Sequence, residues 1–79
     1  MSQEVVIYKK QNCHLCDLAL GKLQELQKEI GFHLRAVDIE KDDKLMEHYG
    51  LMIPVVEIGG EVIQYGHIDE HVIKRKLQK

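Results

Sequence analysis

Along the chain the repeat of apolar residues changes several times, and each change marks an element. Val5, Val6, Ile7 and Tyr8 form a short continuous run, β-branched and aromatic, which predicts a central strand within residues 4–10 buried on both faces. Beyond Gln11, Asn12 and Cys13 the repeat lengthens. Leu15, Leu18, Ala19, Leu23, Leu26 and Ile30 recur at helical spacing, with a gap at Lys22, and Gly31 supplies the stop. Leu18, Leu23, Leu26 and Ile30 are expected to pack against a sheet. From Phe32 to Glu40 the pattern alternates, with Phe32, Leu34 and Ala36 on one parity and Val37 and Ile39 on the other, so a second strand is predicted with its register open. Residues 42–50 open with carboxylates and close with Gly50, a short helix with acids at its positive end. Two β-rich runs, 55–58 and 61–65, are joined by Gly59-Gly60. That loop predicts a tight antiparallel hairpin, because glycine adopts positive φ without steric cost. Asp69 can cap a last helix that turns Val72, Ile73 and Leu77 inward, with Lys74, Arg75, Lys76 and Lys79 near its negative end. Tyr8 is expected to pack near the Cys13–Cys16 segment, and Tyr49 and Tyr65 are expected as half-buried residues.

The predicted order is β-α-β-α-β-β-α. A strand–helix–strand unit crosses over to a parallel pair, and the hairpin adds antiparallel strands to the same sheet. The fold class is therefore α/β, a mixed four-stranded sheet with helices on both faces. At 79 residues, 44% of them apolar, the chain makes one domain over 1–79 with one small core. Eleven Lys and Arg against 13 Asp and Glu leave a formal charge of −2, mixed along the chain, which excludes a field built for nucleic acid. No apolar stretch approaches the roughly 20 residues of a membrane span, and residues 1–4 are not a secretory n-region. A cytoplasmic protein with neither nucleic-acid nor membrane partners is expected.

Chemistry concentrates at Cys13-His14-Leu15-Cys16. Structural bridges join distant parts of a chain, whereas these cysteines are three apart. Cys13 falls just after a central strand and just before a helix, at the sheet edge where open α/β folds hold their ligands. There the helix N–H groups and dipole favour a thiolate, the form that attacks disulfides. Cys16, one turn on, can reach the Cys13 sulfur and expel a partner held as a mixed disulfide. His14 adds a donor or partial positive charge favouring the thiolate, and Lys10 can stabilise it or take an incoming carboxylate, unless it is simply a solvated lysine. Asp17 suits the helix dipole and opposes the thiolate. Other readings of the cysteines are a buried structural pair, a metal or iron–sulfur module, and a non-catalytic interaction domain. Zinc would need further ligands; His67 and His71 have ligand spacing, but the intervening length is about three times that of a finger. No metal ligands are assigned. The one proline, in Ile53-Pro54-Val55, starts the third strand; alone it would be expected trans at an edge strand, while a cis bond would expose backbone groups for an extended substrate.

Val6-Ile7-Tyr8-x-Lys10-x-x-Cys13-x-x-Cys16, then Ile53-Pro54-Val55, then a hairpin followed by Gly66 and Asp69, resembles the glutaredoxin family over nearly the whole chain. The resemblance implies a thioredoxin-like fold, Cys13 as nucleophile, Cys16 as resolving thiol and a cis Pro54 facing them. It also implies glutathione or substrate contacts from Lys10, the backbone of Ile53, and the segment holding Gly66 and Asp69, with His14 beside the nucleophile. Two departures stand out. His14-Leu15 replaces the family's usual Pro-Tyr, and Tyr65-Gly66-His67-Ile68-Asp69 matches its Gly-Gly-Cys-Asp-Asp segment only in part. The implied activity is thiol–disulfide exchange on protein or glutathione mixed disulfides, by a monomer with no bound cofactor. Glutathione, or a thioredoxin reductase with NADPH, would supply the electrons.

Overall fold

The structure is a computed structural model that describes residues 3–78. Its elements are β1 (Glu4–Lys9), α1 (His14–Ile30), β2 (His33–Asp38), a 3-10 helix (Ile39–Lys41), α2 (Asp43–Tyr49), β3 (Val55–Ile58), β4 (Glu61–Tyr65) and α3 (Glu70–Leu77). One mixed sheet runs in the order β2-β1-β3-β4, with β1 parallel to β2 and antiparallel to β3, and β4 antiparallel to β3. This is the predicted α/β architecture. The register left open by the alternation at β2 is Val5 opposite Leu34 and Ile7 opposite Ala36.

Opposite faces of the sheet carry different layers because β1 and β3 alternate in phase. Val5, Ile7, Val56 and Ile58 face α1 and α3, where Leu23, Leu26, Ile73 and Leu77 complete the larger core. On the other face Val55 packs with Ile39 and Tyr49, flanked by Tyr8, Leu45, Met52 and Ile53. The hairpin closes as its glycines predict, with φ of 60° at Gly59 and 82° at Gly60. Asp42 and Asp69 cap α2 and α3, the Asp42 carboxylate accepting from Lys44 and Leu45 N–H and the Asp69 carboxylate from His71 N–H.

Several expectations need correction. Leu18 is not core: it is 49% exposed, and Leu15 beside it 50%. The buried stripe of α1 is Cys16, Ala19, Leu23 and Leu26, whereas Leu15, Leu18 and Lys22 form the neighbouring stripe, roughly 100° around the helix. Lys22 belongs to this flank, its ammonium donating to the Ile68 carbonyl at 2.9 Å. Ile30 is half-buried. The second strand ends at Asp38, before the predicted Glu40, since the Asp38 carboxylate accepts the Glu40 N–H and turns the chain into a 3-10 helix that buries Ile39 completely. Tyr49 is buried rather than half-buried, and Tyr65 is exposed. Strand β4 is the sheet's edge, so Tyr65 has no outer neighbour to cover it.

Candidate redox site at the strand-to-helix edge

The register gathers the loops that matter. Across the sheet Val37, Tyr8, Val55 and Tyr65 are aligned, so the exits of β2, β1 and β4 and the entry to β3 share one edge. Cys13 follows β1, Pro54 precedes β3, and Gly66 follows β4 at that edge.

Cys13 is the N-cap of α1. Its backbone is extended, its carbonyl accepts the Asp17 N–H at 3.1 Å, and its sulfur accepts the Cys16 N–H at 3.2 Å. A sulfur here takes the place of the usual capping oxygen, so the first turn holds it on its positive end. Cys13 and Cys16 are joined as a disulfide with their Cα atoms 5.2 Å apart. Their environments differ: Cys13 is half-buried and Cys16 has no exposed surface. Of the two cysteines, only Cys13 keeps exposed surface.

The other residues singled out in the sequence lie around this bond to differing degrees. Ile53-Pro54 is a cis peptide, and the Pro54 carbonyl accepts the Gly66 N–H at 2.8 Å, which ties the loop before β3 to the loop after β4. Lys10 is half-buried beyond the end of β1, and His14 is the exposed first residue of α1. Asp69 is committed to its helix cap, while its own N–H donates to the Gln64 side-chain oxygen at 2.8 Å. The His67 N–H donates to the Tyr65 carbonyl. Much of the 66–71 segment's donor capacity is thus turned inward. Beside it a small cleft of about 60 Å³ is lined by Leu15, Leu18, Ala19, Lys22, Gly66, His67 and Ile68, with space of the order of a few waters. Among the described residues no group of three or more His, Cys, Asp or Glu could hold a metal ion, and His67 and His71 are both exposed.

A model of the glutaredoxin-like domain (DUF836) matches residues 4–78. The chain belongs to the glutaredoxin-like domain family. A Mycobacterium tuberculosis relative, itself described as uncharacterised, is 25% identical over 96% of this chain and 84% of its own length. Among solved structures, the solution structure of a Nitrosomonas europaea protein is similar with a TM-score of 0.85 and 26% identity, covering 98% of this chain and 93% of that one. A protein from X. campestris gives a TM-score of 0.78 at 26% identity, over 94% and 95% of the two chains. The malaria parasite's thioredoxin-2 shares the fold alone, with a TM-score of 0.74 at 15% identity over 98% of this chain and 82% of its own. The glutaredoxin-like resemblance read from the cysteine motif, the proline and the hairpin is thereby established, as is the thioredoxin-like fold.

Two features of this glutaredoxin-like site were missed in the sequence. The Glu57 carboxylate, on β3, accepts from the Tyr8 hydroxyl on one oxygen and the Tyr49 hydroxyl on the other, both at 3.1 Å. The two rings lie 4.8 Å apart. Burial, reinforced by the hydrogen bond to Glu57 and its negative charge, raises the pKa of both tyrosines. Tyr49 and Glu57 flank the Pro54 loop in sequence, and Tyr8 is the last residue but one of the strand that leads to Cys13, so the cluster joins the two arms of the site. Its only sequence signal was an acid within the β-rich run Val55-Val56-Glu57-Ile58. The second is Glu40, whose carboxylate accepts the Gln11 N–H at 3.1 Å. Those residues are 29 apart, and no local pattern links them.

Proposed function

We propose that this chain is a small thiol–disulfide oxidoreductase that reduces disulfides on proteins, or glutathione mixed disulfides, in the cytoplasm. In the reduced protein the Cys13 thiolate attacks one sulfur of the substrate disulfide. A Cys13–substrate bond forms, the substrate's own S–S bond breaks, and the departing thiolate takes up a proton. Cys16, deprotonated, then attacks the Cys13 sulfur and releases the second substrate thiolate, leaving the Cys13–Cys16 disulfide. Two electrons have passed to the substrate. A dithiol equivalent, either two glutathione molecules or a thioredoxin reductase drawing on NADPH, returns the pair to its reduced state.

The observation that carries this reading is the asymmetry of the pair at the helix start: Cys13 is the N-cap and half-buried, while Cys16 has no exposed surface. A nucleophile needs access and a stabilised thiolate, and a resolving thiol needs only reach. Protein disulfides are the favoured substrates. The cleft beside the motif is small and bordered by the exposed Leu15 and Leu18, and the donors of the 66–71 segment are engaged within the fold. An apolar side chain next to the scissile bond suits such a wall better than the charged ends of glutathione.

Turnover of insulin disulfides and of a glutathione mixed disulfide, with each electron source in turn, tests the proposal. Reduction that disappears in Cys13→Ser supports it. Undiminished turnover by Cys13→Ser, or a wild-type protein inert towards both substrates with both electron sources, overturns it.

A further inference from the structure

We propose that Glu40 is a positioning residue for the Cys13–Cys16 pair, bracing from the neighbouring strand's exit the loop that delivers Cys13 to α1. The inference rests on the oxidoreductase reading for its purpose, but the geometry stands without it. Gln11 and Asn12 are exposed, so little packing holds this loop, and Asn12 takes the left-handed conformation with φ of 57°. The Glu40 Oε1, by accepting the Gln11 N–H at 3.1 Å, ties down the backbone immediately before that turn. Glu40 is itself well anchored. Its N–H donates to the Asp38 carboxylate at 2.9 Å, and the preceding Ile39 is fully buried against Tyr49 and Val55. A continuous support thus runs from a core plug, through one carboxylate, to the backbone two residues before Cys13.

Holding that loop raises the effective concentration of the Cys13 thiol at Cys16, and closure of the pair depends on this quantity. Closure by glutathione disulfide balances as follows: the two protein thiols become one disulfide, and the glutathione disulfide becomes two glutathione thiols. A looser loop makes closure less favourable and the pair a stronger oxidant. Removing the negative charge near Cys13 would act in the same direction by stabilising its thiolate, so the test must separate bracing from charge.

Wild type, Glu40→Ala and Glu40→Gln are equilibrated with defined ratios of glutathione to its disulfide, and the oxidised fraction is counted by alkylation and mass. Glutamine keeps an acceptor oxygen for the Gln11 N–H and loses the charge. Glu40→Ala is expected to lower the closure constant about three- to tenfold, tenfold corresponding to about 30 mV. Glu40→Gln is expected to stay within about twofold of wild type. Equal shifts in the two variants would assign the effect to charge and overturn the brace. So would an unchanged constant in Glu40→Ala, even with a lower urea midpoint, because a merely structural contact moves stability alone. The closure constant is measured on the protein's own cysteines, so this test gives its answer even if wild type turns over neither insulin nor the glutathione mixed disulfide.

Discussion

Replacing Tyr49 by phenylalanine removes one hydroxyl from Glu57 and leaves the ring stack with Tyr8 in place, which isolates the hydrogen bond from the packing. A hydrogen bond to a charged group contributes about 1.5–3 kcal/mol where water is excluded. Glu57 is only half-buried, so water recovers part of this, and about 1–2 kcal/mol is expected for Tyr49→Phe. Tyr8 is more open than Tyr49, and about 1 kcal/mol is expected for Tyr8→Phe. The two hydroxyls share one carboxylate and their rings lie 4.8 Å apart, so the double variant should depart from the sum by about 0.5 kcal/mol or more. The pH dependence has a definite sign. Both tyrosines have raised pKa values in the folded protein, so as pH rises past about 10 the unfolded chain releases these protons first. The unfolded state then holds fewer protons than the native one, and stability falls with pH until the folded groups also ionise. Their contribution is thus fully present at pH 7 and fades above about 10. Urea unfolding of the four proteins at pH 7 and above 10, compared as differences so that lysine titration cancels, measures both effects. Phenylalanine variants as stable as wild type at pH 7, or a gap to wild type that does not narrow in alkali, would refute the argument.

The other expectations concern the site and its support. Cys16→Ser should leave the first attack intact and accumulate a mixed disulfide on Cys13, seen as a mass increase that a reductant reverses; Cys13→Ser should trap nothing through Cys16, which has no exposed surface. Leu23→Ala removes a completely buried side chain from between α1 and the sheet and should cost about 2–5 kcal/mol by urea unfolding. Leu18→Ser, at a half-exposed position on the cleft, should change stability by less than about 0.5 kcal/mol while lowering kcat/KM for an insulin disulfide more than for a glutathione mixed disulfide. Asp69→Ala should lose about 1 kcal/mol by uncapping α3.

Local patterns in the chain determined most of the architecture, because the forces that make each element act over a few residues. The continuous run at 5–8, the helical repeat ending at Gly31, the acids opening the helix within 42–50, the paired glycines at 59 and 60 and the cap at Asp69 each satisfy backbone geometry or bury a face within one element, and each appears in the structure. The cysteine pair was legible for the same reason, as its reach depends on a single helical turn. Burial was less so. Leu18 and Leu23 have the same apolar character, and what separates them is which stripe of α1 meets the sheet, a property of how the helix is rotated against its neighbours. The end of β2 was decided by competition between continuing the ladder and burying Ile39 beneath α2, and burial of Ile39 prevailed. Contacts between distant segments were not legible at all. The Tyr8–Glu57–Tyr49 cluster and the Glu40–Gln11 bond join residues 49, 8 and 29 positions apart, and a carboxylate's partners are set by what the sheet register brings within about 3 Å of it. The sequence by itself thus specified the elements and the reactive pair, since both are local. Only the tertiary structure decided which flank of α1 faces solvent, which cysteine keeps exposed surface and what holds the Cys13 loop in place, since these depend on surfaces that meet only when the chain is folded.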